Sequence, residues 1–164
     1  MYIYKIVEKL KNKYETNNPF EIADILNIFV SFKDLNKLKG FYSIINRERH
    51  IVINNVLCKE DSRLVCAHEL GHDRLHQHLT KTDELSFFKM NSKPEYEANI
   101  FAAELLLEDE QIVSILKEND INLAAKLLSV SPHVLPFKLI SMQKRGVLDS
   151  TNQPLFNTTF LKDL

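Results

Sequence analysis

Apolar residues recur along this chain with two different periods, and the switches between them outline its elements. Over residues 2–15, Ile3, Ile6, Val7, Leu10 and Tyr14 fall at helical spacing with lysines and glutamates between them, which predicts an amphipathic helix. Asn17-Asn18-Pro19 breaks that pattern and starts a second helix, with Asn18 as N-cap and Pro19 as first helical residue. Phe20, Ile22, Ala23, Ile25 and Leu26 form its apolar stripe. The period then changes to two: Ile28, Val30 and Phe32 predict a strand over 28–33. Gly40 opens a second strand, Phe41 to Asn46; Arg47-Glu48-Arg49 is read as a turn and Ile51-Val52-Ile53 as a third strand, ended by Asn54-Asn55. Residues 28–54 therefore read as a small, mostly antiparallel sheet.

Helical spacing returns from Asp61 or Ser62 to about His78. Thr80 to Asn91 is a polar connection interrupted by Leu85-Ser86-Phe87-Phe88. Ser92-Lys93-Pro94-Glu95 has the pattern of a capping box with proline in the first turn. The helix it starts runs to Leu107, and its small residues Ala98, Ala102 and Ala103 suit close packing on another helix. Further helices are predicted over 110–118, Ile121 to Leu128 and Val134 to Lys144. The last two, joined through Ser129-Val130-Ser131-Pro132, have a helix-turn-helix outline. A polar tail follows from Leu148, with Phe156 and Phe160 as anchors. The expected fold is α+β, mainly helical, with the small sheet beside the 61–78 helix; residues 1–118 are expected to form the main domain and 119–164 a helical extension and tail.

Composition narrows the function classes. With 164 residues, 45% apolar and 26% charged, the chain has the makings of a globular domain with a real core. A net charge of −1 argues against broad electrostatic binding to nucleic acid or to an anionic membrane. No apolar run reaches the length of a membrane span, and Lys5 interrupts the opening residues too early for a signal peptide. Two cysteines, Cys58 and Cys66, make no disulfide framework, so a cytoplasmic setting with free thiols is expected and Cys66 is read as core.

The 61–78 helix contains His68-Glu69-Leu70-Gly71-His72. Positions four apart share a helix face, so His68 and His72 can aim two imidazoles at one point. Neutral imidazole nitrogen is a good ligand for zinc, and Glu69 can stand beside such a metal as a general base without binding it. This is the core of a zinc-dependent hydrolase. Two solvated histidines on a charged helix would show the same five residues. Leu64, Val65 and Ala67, however, mark the helix as buried, and a buried His-Glu-His group needs compensation that a metal supplies. Gly71, costly inside a helix, points to close approach of a strand or a substrate backbone.

A catalytic zinc takes a third protein ligand. His78 stands at the offset used by metzincins, but the turn-making glycine of that pattern is replaced by Leu75, and a continuous helix carries His78 about 9 Å along the axis from His72. His76 lies one turn too far and reads as a structural histidine or a substrate contact. Glu95, at the start of the next helix, is the favoured ligand; gluzincins complete their site with such a carboxylate, and Asn99, one turn later, would orient a histidine. Glu97 is a rival, about 200° around that helix from Glu95. Glu95 could also serve only as the capping-box glutamate.

Four stretches together resemble the ImmA/IrrE metallopeptidases: Asn18-Pro19-Phe20-Glu21-Ile22-Ala23; Ala67-His68-Glu69-Leu70-Gly71-His72 with Leu75-His76; Glu95 through Ala98-Asn99 and Phe101 to Leu106; and Ser131-Pro132 through Lys138-Leu139. They run in the family's order over about 18–140; where the family often has Met-Pro after the last leucines, this chain has Leu107-Glu108. The resemblance implies a gluzincin-like zinc site with His68, His72 and Glu95 as ligands and Glu69 as catalytic base. It also implies an endopeptidase that cuts a helix-turn-helix repressor of phage or mobile-element type and so relieves repression. Tyr96, His76 and His78 are candidates to stabilise the oxyanion. A His/His/Glu set would also accept manganese, cobalt or iron. The competing expectation is a non-catalytic module that grips a repressor or DNA through residues 120–145, with a structural metal. Lys138, Lys144 and Arg145 are few cations for phosphate contacts, so direct DNA binding is not expected.

Overall fold

The computed structural model describes residues 2–76, 92–116, 119 and 121–148. Among the described residues seven helices and three strands follow in chain order: α1 (Tyr2–Tyr14), α2 (Pro19–Ile25), β1 (Ile28–Lys33), β2 (Gly40–Ile45), β3 (Glu48–Asn54), α3 (Lys59–Leu75), α4 (Lys93–Leu106), α5 (Asp109–Leu116), α6 (Ile121–Leu127) and α7 (Leu135–Lys144). The mainly helical α+β class read from the sequence is thus the one found. Asn18 caps α2 as expected: its Oδ1 accepts from the N–H of Phe20 at 3.1 Å. The predicted connection over 80–91, His78 and the tail from residue 149 lie outside the described residues.

The sheet is mixed rather than mostly antiparallel. Its order is β1-β3-β2, with β2–β3 antiparallel and β1–β3 parallel. A two-residue turn fixes only the β2–β3 pair. That turn is Asn46-Arg47, one step earlier than the sequence suggested, and both residues have positive φ, 51° and 71°, the backbone of a type I′ hairpin. The longer link from β1 to β2 leaves β1 free to pair on the other side of β3. β3 is therefore central, and its unbroken Ile51-Val52-Ile53 is what a strand covered on both sides looks like.

α3 lies across the sheet and packs along α4. Two glycines permit these approaches. A Cβ on Gly40 of β2 would collide with the Val65 side chain of α3 and lie 2.9 Å from the Val52 carbonyl oxygen. A Cβ on Gly71 would lie 3.1 Å from Ala98 Cα and 3.2 Å from Phe101 Cβ. The close neighbour that Gly71 admits is thus the backbone of helix α4, not a strand or a substrate. Gly71→Val should destabilise the fold by about 1–3 kcal/mol through overpacking, and a calorimetric scan measures it.

α7 is tied to α4 by charges in the interior. Lys138 and Glu104 are both almost fully buried, with Nζ 2.6 Å from Glu104 Oε2 and 2.7 Å from Asp109 Oδ1. Arg145 pairs with Asp109 through two bonds, of 2.7 and 2.8 Å, and lies 3.3 Å from Glu104 Oε1. Its guanidinium also covers the Tyr4 ring at 4.0 Å. Burial alone would raise the Asp109 carboxyl, but Arg145 and Lys138 outweigh it and hold it at about 2. A depressed carboxyl contributes stability above its ordinary value of 3.8 and loses it as pH falls from there toward 2. Asp109→Asn should therefore flatten the pH dependence of the unfolding midpoint within that window.

Candidate metal centre

Three polar side chains converge where α3 crosses the start of α4. His68 and His72, one turn apart on α3, bring their Nε2 atoms to 3.2 Å from each other. Glu95, in the first turn of α4, puts Oε2 3.1 Å from His68 Nε2 and Oε1 3.2 Å from His72 Nε2. One donor atom from each lies within 4.8 Å of the others. A tetrahedral ion with bonds of about 2.0–2.1 Å spaces its donors about 3.3 Å apart, so this nitrogen, nitrogen, oxygen set fits a divalent metal. The other nitrogen of His68, Nδ1, lies 3.0 Å from Asn99 Oδ1. Donation from Nδ1–H to that oxygen leaves the Nε2 lone pair directed at the convergence point.

The charges of the group lean on one another. Burial lowers His68, but its hydrogen bond to Glu95 and the carboxylates of Glu69 and Glu95 more than offset it, and its pKa is raised overall. Burial would raise Glu95, yet its bonds to His68 and His72 hold it well below the usual carboxylate range. Glu69 follows burial: it is 5% exposed, and loss of solvent raises its pKa against the lowering pull of His68 and His72. Its Oε2 is buried with no hydrogen-bond partner among the described residues.

Residues 23–139 match the family model described as Peptidase_M78, IrrE N-terminal-like domain. The chain belongs to this family. It is 41% identical over 120 residues to "Uncharacterized immunity region protein 2" of Bacillus phage phi105, covering 71% of this chain and 75% of that protein. It is also similar to "Metallopeptidase ImmA" of Bacillus subtilis (strain 168), 31% identical over 107 residues, covering 65% of this chain and 63% of that protein, just under two thirds of its length. The resemblance to ImmA/IrrE proteins thus holds, and family membership supports a metallopeptidase with a divalent metal.

The other residues singled out in this family member go elsewhere. Ser92 is the N-cap residue of α4 but makes no side-chain cap bond, and Glu95 points to the histidines, so the capping-box bonds are not formed. Glu97 belongs to the next rung, where Oε2 meets His76 Nε2 at 2.9 Å. α3 stops at Leu75, short of the predicted His78; no glycine or proline marks the stop, and His76 leaves helical geometry where it turns to Glu97. Distances along a continuous helix therefore say nothing of His78. Tyr96 faces α7: its ring meets Phe137 edge-on at 6.0 Å and its hydroxyl accepts from Lys144 Nζ at 3.2 Å.

Lys138 and Arg145, two of the cations considered for DNA, are occupied by buried ion pairs. Cys66 is core as expected, and burial pushes its thiol up to about 12. Among the described residues no helix is long and apolar enough to cross a membrane. The sequence reading missed Tyr42 of β2 and Asp73 of the histidine helix itself, which meet at 2.8 Å. The available signal was Asp73, four residues after Glu69 and so on the same face of a buried helix.

Proposed function

We propose that this chain is a zinc-dependent endopeptidase of the cytoplasm that cuts a helix-turn-helix repressor and so relieves repression. The observation that carries the reading is the fit of His68, His72 and Glu95 to one ion, with a buried oxygen of Glu69, unpartnered among the described residues, on the turn between the two histidines. In this reading His68 and His72 bind the ion through Nε2 and Glu95 through a carboxylate oxygen, while Asn99 fixes the His68 tautomer. A zinc ion held there supplies an acidified water and polarises the scissile carbonyl. Glu69 takes the water's proton, which its raised pKa favours, and delivers it to the departing amine nitrogen. The peptide bond breaks, and the new carboxyl and amine ends account for the water.

The repressor as substrate is supported by the names of the relatives, one an immunity region protein of a phage and one a metallopeptidase called ImmA. Residues 1–118 would carry the chemistry, with 119–164 a helical extension docked through α7. The buried pairing of Lys138 and Arg145 weighs against DNA as the partner. The test is to incubate the purified protein with the repressor-like protein encoded beside its gene, with zinc or manganese and with a chelator. Cutting at a single site that requires metal is expected. An intact repressor under every condition, with metal shown to be bound, would overturn the reading.

A further inference from the structure

Tyr42 ties β2 to α3. β2 is an edge of the sheet, so alternate N–H groups along it point away from β3. The N–H of Tyr42 lies on the side of Glu69 and favours its charged form. The phenol of the same residue donates to Asp73 Oδ1 at 2.8 Å. Glu69 and Asp73 are four residues apart, one turn of α3. The hydroxyl of a single strand residue therefore holds α3 one turn beyond Glu69.

The far end of this turn is firmly anchored. Asp73 has no exposed surface. Arg49 of β3 donates from Nη1 at 3.3 Å to each of its oxygens, and Arg74 from Nε at 2.6 Å. Arg49 also donates to the carbonyl of Leu26, at the end of α2. The carboxylate is thus locked to the sheet and to α2 together. At the near end Glu69 Oε2 is buried with no hydrogen-bond partner among the described residues.

We propose that Tyr42 is a positioning residue whose hydroxyl, held by Asp73, fixes the rotation of α3 against β2 one turn beyond Glu69, so that the buried Oε2 of Glu69 is presented to the reacting water. The inference rests on Glu69 acting as the base in the function proposed above. A merely structural pair would also lower stability when broken, so the discriminating quantity is the placement of Glu69 itself.

Cobalt-loaded full-length protein titrated with acetohydroxamate, followed by the visible cobalt absorption, measures this without a protein substrate. A hydroxamate chelates a divalent metal and shares its proton with a carboxylate beside that metal. Glu69→Gln sets the value for a lost carboxylate. Tyr42→Phe keeps the ring and the backbone N–H and removes only the hydroxyl. It should bind cobalt as wild type does, yet bind hydroxamate about tenfold more weakly. Asp73→Asn keeps an acceptor for the phenol but loses the charge facing Arg49 and Arg74; its unfolding midpoint should fall while its hydroxamate affinity stays near wild type.

Unchanged hydroxamate affinity in Tyr42→Phe, with Glu69→Gln weakened, overturns the proposal. So does a loss of affinity that tracks the unfolding midpoint across both variants. Should Glu69→Gln bind hydroxamate as tightly as wild type, the assignment of Glu69 as base fails, and the proposal fails with it.

Discussion

Glu69→Gln should abolish cleavage, by at least about 10³-fold, while leaving metal binding intact. Glutamine has the size of glutamate, so the turn that carries His68 and His72 keeps its shape. It cannot take up a proton and pass it on. The variant should not be less stable for the loss. In the native chain this carboxylate is buried, has an oxygen without a partner among the described residues, and is repelled by Glu95. Replacing a charge held under such conditions relieves desolvation and like-charge strain together, so the metal-free unfolding midpoint should hold or rise. Glu95→Gln should behave in the opposite way, losing metal and cleavage together. Rates on the identified substrate, metal content and unfolding midpoints for the two variants separate a base from a ligand. Cleavage by Glu69→Gln at the wild-type rate would remove Glu69 from the chemistry.

What could be read from the sequence was what depends on local spacing. Two histidines four apart on an apolar helix, a glycine between them and a carboxylate opening the next helix all follow from the geometry of one helix or two. Asn18-Pro19 was legible because an N-cap is a contact between near neighbours in the chain. The parallel pairing of β1 was not, because a hairpin turn specifies one partner only and the other is chosen by packing. The end of α3 was missed for a related reason. Nothing in Leu75-His76-Gln77 stops a helix, and His76 departs from it toward Glu97, 21 residues away in sequence. The capping-box pattern at Ser92 misled because Glu95 can make one set of contacts or the other, and the histidines lie across the interface. Glu104, a lone acid inside Phe101-Ala102-Ala103-Glu104-Leu105-Leu106, did carry a signal of its own. A charge amid residues that must be buried requires a partner, though only the fold reveals Lys138 as that partner.

Lys138→Met should be among the most destabilising single changes in the chain. The two acids and two bases of this cluster balance, and Ser141 adds a hydrogen bond to Glu104. Removing Lys138 alone leaves Glu104, 1% exposed, with Arg145 as its one remaining cation among the described residues, and Arg145 is already committed to Asp109. An uncompensated buried charge of this kind costs about 3–5 kcal/mol, which at roughly 2–4 °C per kcal/mol for a chain of this size lowers the midpoint by roughly 6–20 °C. Adding Glu104→Gln restores neutrality, keeps a partner for Ser141 and leaves the Arg145–Asp109 pair intact. The double variant should therefore be more stable than Lys138→Met alone, with a coupling of about 1–3 kcal/mol. Additive effects would mean that the four groups do not act as one unit. The consequence reaches the metal centre, because Glu104 and Glu95 share α4. The ion cluster pins one end of that helix to α7, and the other end delivers Glu95 to the histidines. Lys138→Met should weaken metal binding as well as the fold, and the double variant should recover both.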